Sequence, residues 1–191
     1  MLPLIASCIA PRQYIERRNG ECDESHAGTK ADMSEFPREL LVETTPQPTR
    51  YVLAGAYYAV TGPVDDRRHG DAVFHLDEEH LTVFRRQDGA ALPGSDAGPV
   101  YRVTEQGPLA VPTGKVFVRF AEGQSIEDRR GDIEAAGFRI VDTLSYAPQA
   151  GWCEARSGDI TDALANLATL KRISDIAAVE PQMLMERRTR S

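Results

Sequence analysis

The sequence predicts an α+β protein, in which a small β-rich segment precedes a unit of the order strand, helix, strand, strand, helix, strand. Three observations point there. Lys115–Phe120 alternates, with Val116, Val118 and Phe120 on one face and Phe117 and Arg119 on the other, the period of a half-buried strand. Two later segments have apolar residues at helical spacing, each bounded by capping or stop residues. Hydrophobic residues make up 41% and charged residues 27% of the 191, which is enough apolar material for a packed core.

Taken along the chain, residues 1–49 show no sustained period and are polar and Pro-containing, so they read as a disordered leader. Arg50–Val60 is rich in Tyr, Val and Ala and reads as one strand, closed by Thr61-Gly-Pro63. Asp71–Leu76 and Leu81–Arg86 read as a hairpin joined by Asp77–His80, and Gly89–Pro99 as a long turn. Val100–Val103 is a short strand, and the Gly and Pro residues that follow suggest a domain boundary near 105–112. Residues 50–109 are therefore a small β-rich region. Val83–Gly89 echoes Val118–Gly123, so the region is either a degenerate copy of the downstream module or an unrelated β segment.

Residues 110–191 carry the clearer pattern. After the strand Lys115–Phe120, Ser125 and Asp128 resemble a capping box, and Ile126, Arg130 and Ile133 lead to a stop at Gly137. Gly131 inside that helix costs about 1 kcal/mol relative to Ala. Arg139–Ser145 and Ala150–Arg156 form a hairpin about Tyr146–Gln149. Ser157–Asp159 starts a second helix with Ala163, Leu164, Leu167 and Leu170 on one face, and Lys171 and Arg172 in the last turn. Asp175–Glu180 is the last strand, ended by Pro181. This order predicts a ferredoxin-like βαββαβ antiparallel sandwich, with both helices on one sheet face and the other face open.

Composition excludes several function classes. The formal net charge is −7; residues 1–109 carry 11 basic and 17 acidic side chains against 11 and 12 in residues 110–191. So acidic a chain is not expected to bind nucleic acid. The longest apolar runs, such as Val52–Ala56, are too short to span a bilayer, so no membrane partner is expected. No basic residue precedes the apolar start and only seven residues precede Cys8. That is no secretory signal, and a cytoplasmic location is expected, with secretion the alternative. Cys8, Cys22 and Cys153 lack the spacing of a zinc site or a disulfide framework. No metal and no cofactor are expected, and Cys153 beside Trp152 reads as a small core residue. No nucleophile–base pair or phosphate-cradling Gly loop is visible, so the chain is not expected to be an enzyme.

Thr113-Gly-Lys-Val-Phe-Val-Arg-Phe120, Glu134-Ala-Ala-Gly-Phe138, Leu164-Ala-Asn-Leu-Ala-Thr-Leu170 and Ile176-Ala-Ala-Val-Glu-Pro-Gln182, in that order and spacing, resemble the inhibitor-type prodomain of subtilisin-like serine proteases. The likeness covers roughly 75 residues. The segments that usually surround the subtilase triad (Asp-Thr-Gly, His-Gly-Thr-His and Gly-Thr-Ser-Met) do not occur, and His69-Gly70 lacks the rest of its motif. The resemblance implies a stand-alone inhibitor or folding partner of a subtilisin-like serine protease, with two contact surfaces. One is the open sheet face, carrying Phe117 and Trp152, although Trp152 could equally close the core under the second helix. The other is an extended tail lying in the substrate cleft, with Met183, Leu184, Met185, Glu186, Arg187 and Arg188 as the binding residues; the arginines read equally well as a solvated end. The competing reading is a binding or regulatory module, for a small ligand or for dimerisation, unrelated to proteases.

Overall fold

The structure is a computed structural model that describes residues 32–43, 47–64, 72–76, 79–87, 92–94, 97–104 and 106–185. Among the described residues there are eleven strands: β1 (Glu39–Val42), β2 (Thr49–Leu53), β3 (Tyr57–Thr61), β4 (Ala72–Leu76), β5 (Leu81–Arg85), β6 (Ala97–Gly98), β7 (Tyr101–Val103), β8 (Leu109–Phe120), β9 (Phe138–Leu144), β10 (Ala147–Ala155) and β11 (Ile176–Met185). Three short helices accompany them: α1 (Arg130–Ala135), α2 (Ile160–Ala165) and α3 (Leu167–Leu170). A 3₁₀ turn spans Met33–Glu35, capped by the Asp32 side chain on the Ser34 amide.

The large sheet runs β1-β2-β7-β8-β10-β9, with β11 on the other edge of β8. It curls as an antiparallel half-barrel, and a second sheet runs β4-β5-β3-β6. Half of the described residues lie in strands and 14% in helices. The expected ferredoxin-like α+β sandwich is therefore incorrect: the fold is mostly β. The four C-terminal strands are part of a seven-stranded sheet, and the helices are too short to form a layer of their own.

The difference starts at β8. Pro112 and Gly114 read in the sequence as punctuation, yet β8 runs through both for twelve residues. Gly114 takes φ +86, which an L side chain rarely adopts. There the register against β11 slips: Pro181 faces Val116, but Met183 faces Pro112. This is a bulge, which bends a strand. The Thr113 hydroxyl takes the Lys115 amide at 3.2 Å and donates to Gln182 Oε1 at 2.8 Å. The bent strand holds β7 at one end and β10 at the other. Strands of one sheet therefore lie on both sides of the boundary expected near 105–112.

Other expectations shift for similar reasons. Arg50–Val60 is two strands, because the chain turns a corner at Ala54–Ala56 and passes from the large sheet to the second. The hairpin of Ala72–Leu76 and Leu81–Arg85 is present. The helix expected from Ser125 starts only at Arg130, Ser125 capping the Glu127 amide of the preceding turns. Asp159 caps α2 through the Thr161 amide at 2.8 Å, but the helix breaks at Asn166 into α2 and α3. Within the expected leader, Met33, Phe36, Leu40 and Val42 are buried and β1 pairs with β2. Residues 1–31 lie outside the described residues, as do Cys8, Cys22 and His69.

Two cores result. The larger joins Met33, Leu40, Tyr58, Phe84 and Tyr101 to Val116, Val118, Phe120, Ile133, Phe138 and Leu170. It crosses the expected boundaries of all three regions. Tyr101, fully buried, hydrogen-bonds the Pro37 carbonyl at 3.0 Å and so fastens the N-terminal segment. The smaller core lies between the second sheet and the first half of β8, where Phe74, Leu81 and Val83 meet Val100 and Val111.

Candidate functional site

All three helices contribute to the larger core, on the side of Val116, Val118 and Phe120. Along β8 the intervening side chains Lys115, Phe117 and Arg119 therefore face away from the helices. Directly opposed residues in antiparallel strands share a face, so the registers fix what surrounds Phe117. Trp152 of β10 and Glu180 of β11 lie on either side of it, and Asp142 of β9 lies beyond Trp152. The row Asp142–Trp152–Phe117–Glu180 thus crosses four strands. The two rings are 5.4 Å apart between centroids at 62°, an edge-to-face pair. Both are half-buried, whereas Cys153, next to Trp152, is buried against the larger core. Trp152 accordingly does not close the core under the helices.

The neighbouring row is charged. Glu154 faces Lys115 on one side and Arg139 on the other, with Arg139 donating to its carboxylate at 3.2 Å. Arg119 is exposed on the same face. An aromatic pair ringed by charged side chains has the make-up of an interface centre with a polar rim. Burial raises the Tyr51 phenol above its ordinary range, and the Glu180 carboxylate adds to that.

Comparison with protein-family models, with curated proteins and with solved structures found no match.

The proposed site residues fall into three groups. Phe117 and Trp152 come together on the helix-free face. Met183, Leu184 and Met185 are not a free tail: they extend β11 and pair with Pro112, Val111 and Ala110. Met183 packs on the larger core and Leu184 on the smaller. Pro181 does not end the strand, because a proline is accommodated where the register shifts at a bulge. Glu186, Arg187 and Arg188 lie outside the described residues. Asp142 and Glu180 escaped the sequence reading, since only a register puts them in line with Phe117.

Among the described residues there is no group of three or more His, Cys, Asp or Glu able to hold a metal ion. His75 Nδ1 lies 2.7 Å from Thr82 Oγ1. Thr82 is fully buried. No described helix is long and apolar enough to cross a membrane.

Burial pushes the Cys153 thiol up to about 12, against a smaller opposing pull from Arg130. A thiol raised from an ordinary 9.0 contributes stability that is complete below pH 9 and is lost between pH 9 and about 12. Native protein at pH 8 is therefore expected to leave Cys153 unalkylated by iodoacetamide, as read by peptide mass mapping, until urea unfolds it. Urea midpoints should fall between pH 9 and 11, and less so in Cys153→Ala. Rapid native alkylation at Cys153 would contradict the burial.

Proposed function

We propose that this protein binds another protein through the sheet face around Phe117 and Trp152, as a propeptide-like inhibitor or folding partner of a subtilisin-like serine protease. The observation that carries the reading is the edge-to-face pair itself, half-buried on the helix-free face with Asp142 and Glu180 at its two ends. Large aromatics in such a position supply apolar contact area at little entropic cost. The choice of partner rests on the likeness of residues 113–182 to the subtilase prodomain.

In this reading the sheet face provides the affinity. Any segment lying in the cleft begins after Met185, because Met183 and Leu184 are engaged within the fold. The protein acts by occupying the protease and not by chemistry of its own.

The test is residual peptidase activity of several subtilisin-like proteases mixed with the purified protein. Inhibition at stoichiometric concentration is expected. Phe117→Ala and Trp152→Ala should each weaken it about tenfold or more, as for a central interface aromatic, while circular dichroism stays unchanged. No inhibition of any protease tested, or inhibition by both variants as strong as that by the unsubstituted protein, would refute the reading.

A further inference from the structure

At the corner where β2 leaves the large sheet and β3 enters the second, an open hollow of about 370 Å³ is lined by residues 52–57 and Arg102. Ala54 N–H donates to the Val100 carbonyl at 2.8 Å and Tyr57 N–H to the Ala54 carbonyl at 2.9 Å, which fixes the turn. The two residues between them, Gly55 and Ala56, are exposed, and their amides make no hydrogen bond among the described residues. An added Cβ at Gly55 would meet nothing within 4 Å, so the space above the turn is open.

Arginine surrounds this turn. Arg102 of β7 is part-buried; it donates to the Tyr57 hydroxyl at 3.0 Å and to the Gly107 carbonyl at 3.1 Å, and lies 5.0 Å from the Tyr57 ring centre. Arg85 lies 5.9 Å from the same ring. Arg86 reaches the Gly55 carbonyl at 3.4 Å and also feels the Asp32 carboxylate. Among the described residues, neither Arg85 nor Arg102 has a carboxylate partner, and none that lines the hollow carries a carboxylate. In a chain of net charge −7, three guanidiniums gathered about one turn are a local exception. A part-buried guanidinium with no carboxylate partner among the described residues, beside two amides that make no hydrogen bond there, offers the donors that an oxyanion takes up. Val52, Leu53 and the Tyr57 ring add an apolar wall.

We infer that this hollow binds a small organic anion: an oxyanion held by Arg102 and the Gly55 and Ala56 amides, with an apolar body against Tyr57 and Leu53. The site is separate from the Phe117–Trp152 face and stands whether or not the protein binds a protease.

Benzoate and inorganic phosphate are the probes, each titrated into the ¹⁵N-labelled full chain. Benzoate should move the Gly55 and Ala56 amide resonances along a saturating curve, and should bind more tightly than phosphate, which lacks the apolar body. Arg102→Gln should weaken benzoate binding about tenfold or more, the factor for a lost charge-assisted bond. Arg102 also braces the Gly107 carbonyl, so that variant risks loosening the hairpin; the wild-type titration is decisive without it. Amide shifts at Gly55 and Ala56 no larger than those elsewhere, or tighter binding of phosphate than of benzoate, would overturn the assignment.

Discussion

A chain ending at Gln182 is expected to lose about 3–5 kcal/mol of stability. The missing residues are structural: Met183, Leu184 and Met185 face Pro112, Val111 and Ala110 along β8. Each ladder hydrogen bond contributes about 0.5–1.5 kcal/mol net. Met183 and Leu184, half-buried against the two cores, contribute about 1 kcal/mol each. The loss also uncovers Val111, which is nearly fully buried in the smaller core. A chain ending at Met185 keeps all these contacts and is the right truncation for asking whether later residues enter a protease cleft. Urea unfolding of the two chains checks this. Equal midpoints would show that the end of β11 contributes nothing.

Leu170→Ala is expected to cost about 2–5 kcal/mol, as for a leucine deleted from a packed core. Leu170 is fully buried in the larger core with Ile133 and Val179. It closes α3, a helix of four residues, too short to persist on backbone propensity. The side chain therefore holds the helix in place, and its loss should release the turn that follows. That turn is itself tied down: Arg129 donates to Ser174 Oγ at 2.7 Å and to its carbonyl at 2.9 Å, and lies 5.4 Å from the Phe120 ring centre. Leu167→Ala on the same helix should cost less, since Leu167 keeps some exposure at 8%. Chemical denaturation of both variants measures the order. A loss below about 1 kcal/mol for Leu170 would show that α3 does not seal the core.

The elements read best from sequence were those whose signal is local. Alternation at Val116, Val118 and Phe120 identified the buried face of β8, and the same parity placed Phe117 on the opposite side. The spacing of Leu164, Leu167 and Leu170 identified an inward helix face, although the helix breaks at Asn166. Two β-prone runs separated by turn residues became the hairpin of β4 and β5. Each of these depends on a few consecutive residues and on the periods of strand and helix.

What the sequence determined by itself was which stretches could be strands or helices and which side of each was apolar. Partners and lengths were decided by tertiary structure. Proline and glycine at 112 and 114 are locally strand-breaking, yet β8 passes through them because a bulge against Gln182 absorbs the mismatch and β7, β10 and β11 pair on both edges. Pro181 is tolerated for the same reason. The N-terminal residues have no period of their own; Met33, Phe36 and Leu40 are ordered by a core whose other members lie up to 146 positions away, at Val179. The alignment of Asp142, Trp152, Phe117 and Glu180 likewise exists only in the register of four strands. Such pairings are non-local, and no window of consecutive residues contains the hydrogen bonds and buried contacts that select them.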